Sequence, residues 1–178
     1  MTDVIFAHRT RPAPQSPPAP ARPEPDYALI ELLFFAYRDF VADADQVLVG
    51  YGFGRAHHRV LHFVDRNPGL RVRDLLDILK ITKQSLARVL KALVDGGFVR
   101  QEAGASDRRE KRLFTTDEGH ALARRLALLQ TARIARAAAA AGPGAAGTAR
   151  DFLLAMVEPH EREAIAARIG IDPGEVAR

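Results

Sequence analysis

The chain contains no cysteine. That absence excludes disulfides, iron–sulfur clusters, cysteine-ligated zinc and thiol redox sensing. It is also compatible with a reducing compartment. Long apolar runs are missing as well. A membrane span needs about 18 apolar residues in a row, and the richest stretch, residues 28–41, is broken by Glu31, Arg38 and Asp39. The N-terminus has no basic-then-apolar secretion pattern, so a cytoplasmic chain with no membrane partner is expected. There is no nucleophile elbow, no phosphate loop and no supported pair of catalytic carboxylates. An enzyme is therefore not expected, and neither is a cofactor. No internal repeat is present. Acidic residues are absent between Ile78 and Val94, where Lys80, Lys83, Arg88 and Lys91 stand.

What is there suits a single globular domain with a tail: 178 residues, 47% hydrophobic, 27% charged, net charge +4. A cationic block on one element points to a nucleic-acid partner more strongly than the small global excess does. Residues 1–25 hold Pro12, Pro14, Pro17, Pro18, Pro20, Pro23 and Pro25. Proline fixes φ and lacks an N–H, so neither helix nor sheet can run through them, and a disordered or polyproline-II tail is expected. Arg9, Arg11 and Arg22 would give that tail weak phosphate attraction.

Asp26 can cap a helix over residues 27–49. Leu29, Ile30, Leu32, Leu33, Phe34, Phe35, Tyr37, Phe40, Val41, Val47 and Leu48 are too many for one stripe. A helix apolar on more than one face is buried on more than one face, which in so small a domain suggests a second subunit. A second helix, 55–66, ends at Asn67-Pro68-Gly69, and residues 70–72 can form a short strand. A third helix is expected over 73–79. Lys80 and Ile81 form the turn, and Thr82 is a sound N-cap for a fourth. There Leu86, Val89, Leu90, Leu93 and Val94 recur at helical spacing, and Gly96-Gly97 closes the helix. Two helices joined this tightly form a helix-turn-helix. Strands at 98–102 and 111–115 follow around a loop. Thr116 then caps a helix reaching 141, which Gly142-Pro143-Gly144 breaks. The alanines at 137–141 are helix-favouring composition. Helices at 148–157 and 159–169 complete the chain, with Pro159 expected at the first helical position.

The polar side of the fourth helix carries Lys83, Gln84, Ser85, Ala87, Arg88 and Lys91. Positions 84, 88 and 91 share one face. Arginine can read guanine bidentately and glutamine can read adenine. Lys83, Ser85 and the helix N-terminal amides around Thr82 suit phosphates. Ala87 is small enough for close approach to base edges. A solvated helix face carries the same residue types, but the next element adds weight. The hairpin holds Arg108, Arg109, Lys111 and Arg112 against Asp107 and Glu110. A hairpin that follows a recognition helix is a wing, and its arginines can enter the minor groove. Asp107 is best used as a bidentate bracket for Arg109.

Residues 72–119 resemble the winged-helix regulators of the MarR (multiple antibiotic resistance regulator) family. The likeness lies in Leu75, Leu76 and Leu79 with Thr82 ahead of Gln84-Ser85-Leu86-Ala87-Arg88-Val89. It continues in Leu93-Val94-Asp95-Gly96-Gly97-Phe98-Val99-Arg100, and in Asp107-Arg108-Arg109-Glu110-Lys111-Arg112-Leu113 running to Thr116-Asp117-Glu118-Gly119. The resemblance implies a mainly α fold with a β-hairpin wing and a homodimer built from the N- and C-terminal helices. It also implies a pseudo-palindromic double-stranded DNA operator touched by Arg88 and Arg109, and repression relieved by a small-molecule effector bound between the dimer helices and the DNA-binding lobe. The corresponding divisions are a tail at 1–25, a dimerisation helix at 26–54, a winged helix-turn-helix lobe at 55–119 and C-terminal dimerisation helices at 120–178. Three features depart from the family pattern: Lys80 where glycine is usual in the turn, Arg73 where a Ser or Thr cap would stand, and the Gly142-Pro143-Gly144 break.

His57, His58 and His62 cluster on the second helix and are candidates for the effector pocket. His58 and His62, at i and i+4, have metal-binding spacing. Without cysteine and with only Asp65 nearby, ordinary hydrogen-bonded histidines are the expectation and no metal site is predicted. His57 is expected to point inward, His58 and His62 sideways. Two other functions fit less of the sequence: a winged-helix interaction adaptor that does not bind DNA, and a metal-responsive regulator using these histidines.

Overall fold

The structure, a computed structural model, describes residues 24–104 and 110–171. The expected tail through residue 23 and the wing tip with Asp107, Arg108 and Arg109 lie outside the described residues. Within them the order is α1 (Tyr27–Val49), α2 (Arg55–Arg66), β1 (Leu70–Arg71), α3 (Val72–Leu79), α4 (Lys83–Asp95), β2 (Val99–Ala103), β3 (Lys111–Thr115), α5 (Asp117–Ala141), α6 (Ala145–Met156) and α7 (Arg162–Ile169). The strands form one antiparallel sheet in the order β1-β3-β2. Leu70 pairs with Leu113 and Val99 with Thr115. This is the expected mainly α fold with a hairpin wing.

Helix starts follow local chemistry. Asp26 accepts the Leu29 N–H at 2.9 Å, and Thr116 accepts the Gly119 N–H at 3.0 Å. Each satisfies an amide that a helix N-terminus leaves without a partner. α3 begins one residue earlier than the sequence suggests. Its N-cap is Arg71, not Arg73, and lacks a side-chain cap bond. The first turn is bracketed instead by the Arg71 guanidinium, which donates to both Asp74 oxygens at 2.6 and 2.8 Å. α6 starts at Ala145 rather than 148, because Gly144, left-handed at φ 81°, turns the chain directly into it. Pro159 is not at a helix start; it lies in the turn before α7. Arg162 closes that corner, donating to the carbonyls of Ala155 and Val157 at 2.6 and 2.8 Å.

The core is built where three stripes meet. Val60, Leu61 and Val64 of α2, Leu86, Leu90 and Leu93 of α4, and Val99 and Leu113 of the sheet are all buried. Ala44 and Leu48 from the C-terminal half of α1 join them, with Leu122 and Leu126 from α5. On α2, Phe63 is only half-buried beside them. The N-terminal half of α1 contributes nothing: residues 24–38 are all exposed.

Two backbone positions matter for the lobe. Lys80, which ends α3, has φ 50° and ψ 43°, and is the one non-glycine residue with positive φ among the described residues. Lys80 stands where glycine is usual in the turn, and a side chain in this region crowds the following carbonyl. Gly119 is the other. A Cβ at this position would overlap the Phe98 carbonyl oxygen and lie 2.9 Å from its carbon. That carbonyl already accepts the Thr116 N–H, so it cannot retreat freely. Gly119→Ala is expected to destabilise the protein by about 1–3 kcal/mol through overpacking. Urea unfolding should show a lower midpoint with an unchanged slope.

Candidate nucleic-acid interface

α4 presents two chemically opposite faces because its apolar residues recur at three and four. Burying Leu86, Val89, Leu90 and Leu93 leaves Lys83, Gln84, Ser85, Ala87, Arg88 and Lys91 exposed together. The cap works as the sequence suggests: Thr82 Oγ accepts the Ser85 N–H at 3.2 Å. Its own hydroxyl proton goes to Ser85 Oγ at 2.9 Å. Ser85 therefore keeps its O–H free to donate outward, at a helix end where amides and dipole already favour an anion.

The charges on this face are not equivalent. Lys91 is tied to Asp95 at 2.5 Å, one turn on. Lys83 and Arg88 join no ion pair among the described residues. Beside α4 runs a groove of about 690 Å³ between α3, α4 and the wing, with Leu76, Leu86 and Leu90 on its floor and Lys83, Lys91 and Lys111 at its rim. Gln101 and Arg73 also line it, and neither was among the residues expected to meet DNA. Gln101 could have been, since β2 exposes every residue after Val99. At the wing base, Glu110 lies 3.0 Å from Arg112 and 3.8 Å from Arg71. Arg112 is thus partly neutralised, whereas Lys111, equally exposed, joins no ion pair among the described residues. The Asp107–Arg109 bracket falls outside the described residues.

The three α2 histidines are arranged differently from expectation. His58 is the buried one, 9% exposed, and His57 and His62 are half-buried. The reason is the cap of α2. His57 Nδ1 accepts the Gly54 N–H at 3.1 Å and its ring stacks on Phe53 at 4.7 Å, which turns it toward the helix start. Burial lowers the basicity of all three rings, above all other causes. His58 lies near Asp45, whose Oδ1 is buried without a hydrogen-bond partner among the described residues and whose Oδ2 accepts from Arg55 at 2.7 Å. Among the described residues no three His, Cys, Asp or Glu side chains group so as to hold a metal ion.

None of these histidines lines the cavities at the base of the lobe. One of about 630 Å³ opens between α1 and α5, with Asp43, Gln46, Tyr51, Arg125 and Leu129 in its wall. A second, of about 340 Å³, shares Tyr51 and Arg125 and adds Phe98, at the start of the wing. No helix among the described residues is long and apolar enough to cross a membrane.

Comparison with known proteins gives concordant results. The profile of the MarR family matches residues 51–110. The HTH-type transcriptional regulator PetP of Rhodobacter capsulatus is 47% identical over 133 residues, spanning 75% of this chain and 80% of that protein. Among solved structures, a SlyA-like transcription regulator from Listeria monocytogenes superposes with a TM-score of 0.64 at 18% identity, covering 80% of this chain and 95% of that one. CouR from Rhodococcus jostii RHA1, solved bound to p-coumaroyl-CoA, has a TM-score of 0.62 at 20% identity, covering 75% and 94%.

The depressed basicity of the α2 histidines has a measurable consequence. In the unfolded chain a histidine titrates near about 6.5. As pH falls through that value, the unfolded chain takes up protons that the folded chain does not. Stability is therefore full above the unfolded pKa and declines as pH drops toward the lower folded values. The melting temperature should fall between about pH 7 and pH 5, before carboxylates titrate. His58→Gln should make that decline shallower, and an unchanged slope would show that His58 is not a source of it.

Proposed function

The chain belongs to the MarR family of transcription regulators, and on that premise we propose that it is a homodimeric repressor released from its operator by a small molecule. In this reading α4 lies in the major groove of double-stranded DNA. Gln84 and Arg88 face base edges, Ala87 permits close approach, and Thr82, Lys83, Ser85 and Lys91 serve the phosphates. The wing enters the minor groove with Arg108, Arg109 and Lys111, Asp107 holding Arg109 in place. The observation that carries the reading is the α4 face itself, where Lys83 and Arg88 stand exposed and, among the described residues, in no ion pair, beside a capped helix N-terminus.

Dimerisation is supported by the exposed half of α1. Tyr27, Ile30, Leu32 and Phe34 are each at least 60% exposed. Beside them Phe152 and Met156 of α6 line an apolar hollow with Leu29 and Leu33. A patch this continuous marks an interaction surface. Residues 26–54 and 120–178 are assigned to the dimer and 55–119 to the DNA-binding lobe. The effector is assigned to the adjoining cavities that share Tyr51 and Arg125. Phe98, in the wall of the smaller one, follows the Gly96-Gly97 turn at the end of α4. A molecule bound there would press on the connection between recognition helix and wing. That CouR, a protein of the same fold, was solved with p-coumaroyl-CoA supports a ligand-responsive reading.

Three variants test this. Arg88→Ala should cost about 1–3 kcal/mol of operator affinity, the worth of a bidentate base contact, while the dimer mass stays unchanged in sedimentation. Lys83→Ala should weaken binding to all sequences alike and lower the salt slope by about 0.9, one phosphate contact. Arg88→Ala binding the operator as wild type does would remove α4 as the reading helix. Absence of any salt-sensitive DNA binding by the wild type would favour an interaction adaptor. Phe34→Glu should shift the sedimenting species toward monomer while leaving the far-UV helix signal in place, and a persistent dimer would displace the interface from α1.

A further inference from the structure

The turn that launches the recognition helix is attached to a distant part of the chain. Lys80 Nζ lies 2.9 Å from Glu161 Oε1. Lys80 ends α3 in the left-handed conformation, and only Ile81 separates it from Thr82, the cap of α4. Glu161 is the N-cap of α7. Among the described residues this is the one ion pair that joins residues 55–119 to α6 or α7.

Both ends are held. At the far end, Arg162 donates to the carbonyls of Ala155 and Val157, and the Glu161 N–H donates to Glu158 at 2.9 Å. These bonds lock the α6–α7 corner and fix where the Glu161 carboxylate points. At the near end, the Lys80 N–H donates to the Leu76 carbonyl at 2.9 Å, which fixes the turn. A glycine would adopt this backbone freely, whereas a lysine resists it. The side chain that makes the turn harder to form is the one that reaches the α7 corner. The pair raises the basicity of Lys80 and lowers that of Glu161, each mainly through their shared hydrogen bond.

We propose that Lys80 and Glu161 form a strut through which the C-terminal helix pair sets the turn ahead of the recognition helix, making both positioning residues for DNA binding. The inference rests on the DNA-binding reading of α4. Any event that moves the α6–α7 corner, such as docking of a second copy on the neighbouring apolar face, then reaches Thr82 through one ion pair.

The test uses the full-length protein. Glu161→Gln removes the charge and keeps the shape, and Glu158→Gln, the same change on an exposed acid of the same corner, is the control. Glu161→Gln should weaken operator binding about two- to fivefold at low salt, the size of an exposed ion pair, and the loss should shrink as salt rises. Amide exchange at residues 81–85 of the DNA-free protein should quicken. Glu158→Gln should change neither. In a Lys80→Gly background, where the turn forms without resistance, Glu161→Gln should have no further effect on either readout. The opposite sign overturns the proposal: tighter, more salt-dependent binding by Glu161→Gln would make Lys80 a phosphate contact that Glu161 restrains. Unchanged exchange at 81–85 would also overturn it. If the wild type bound no DNA, the functional reading would fall, while the exchange comparison would still report on the strut.

Discussion

The lobe depends on a single rotational setting of α4. Its apolar stripe, Leu86, Val89, Leu90 and Leu93, is buried in the core shared with Val60, Leu61 and Val64 of α2 and Val99 of β2. Truncating a buried leucine to alanine costs about 2–5 kcal/mol, so the stripe is a large part of what holds the lobe together. The same setting decides which side chains meet solvent. Turning the helix by one residue would bring Arg88 or Lys91 toward the interior, where an unpaired charge is very costly. Core packing and the presentation of the polar face are thus one constraint.

Around that helix the charges are arranged to leave its positive field in place. Glu110 lies between Arg71 and Arg112 at the base of the wing, and Asp74 takes up the guanidinium of Arg71. These acids act on the sheet and on α3, away from the start of α4. Their mutual pairing favours the β1–β3 register in which Arg71 faces Arg112, since two arginines opposite one another would repel without an acid nearby. Lys83 and Arg88, by contrast, join no ion pair among the described residues.

Much of this was legible in the sequence because it is local. The stripe of α4 repeats at three and four, Thr82 and Thr116 stand where caps are needed, and Gly96-Gly97 marks a helix end. What failed to show has a physical reason in each case. The start of α3 is set by an arginine–aspartate bracket that follows no cap pattern. Pro159 satisfies the rule for a first helical position, yet Arg162 draws the corner closed beyond it. Periodicity could not tell which histidine of α2 would be buried, because the stacking of His57 on Phe53 depends on a loop residue outside the helix. Lys80 was conspicuous where glycine was expected. Its partner was not, since nothing in a sequence joins position 80 to position 161 before the chain is folded.

The exposed half of α1 bears on how the protein is made. Its aromatic and aliphatic side chains leave the ribosome ahead of every element they could pack against, and the helix half that does reach the core waits for α5, whose contacts come much later in the chain. A newly completed monomer can close the core that α1 and α5 share with the lobe, but it would do so with the first half of α1 still open to water. Assembly of the proposed dimer would then depend on protein concentration. Slow synthesis or low expression would prolong the interval in which that helix is available to chaperones and to aggregation. With the proposed dimer as the active species, its stock would follow the square of the monomer concentration when monomer is in excess, so small changes in expression would be amplified.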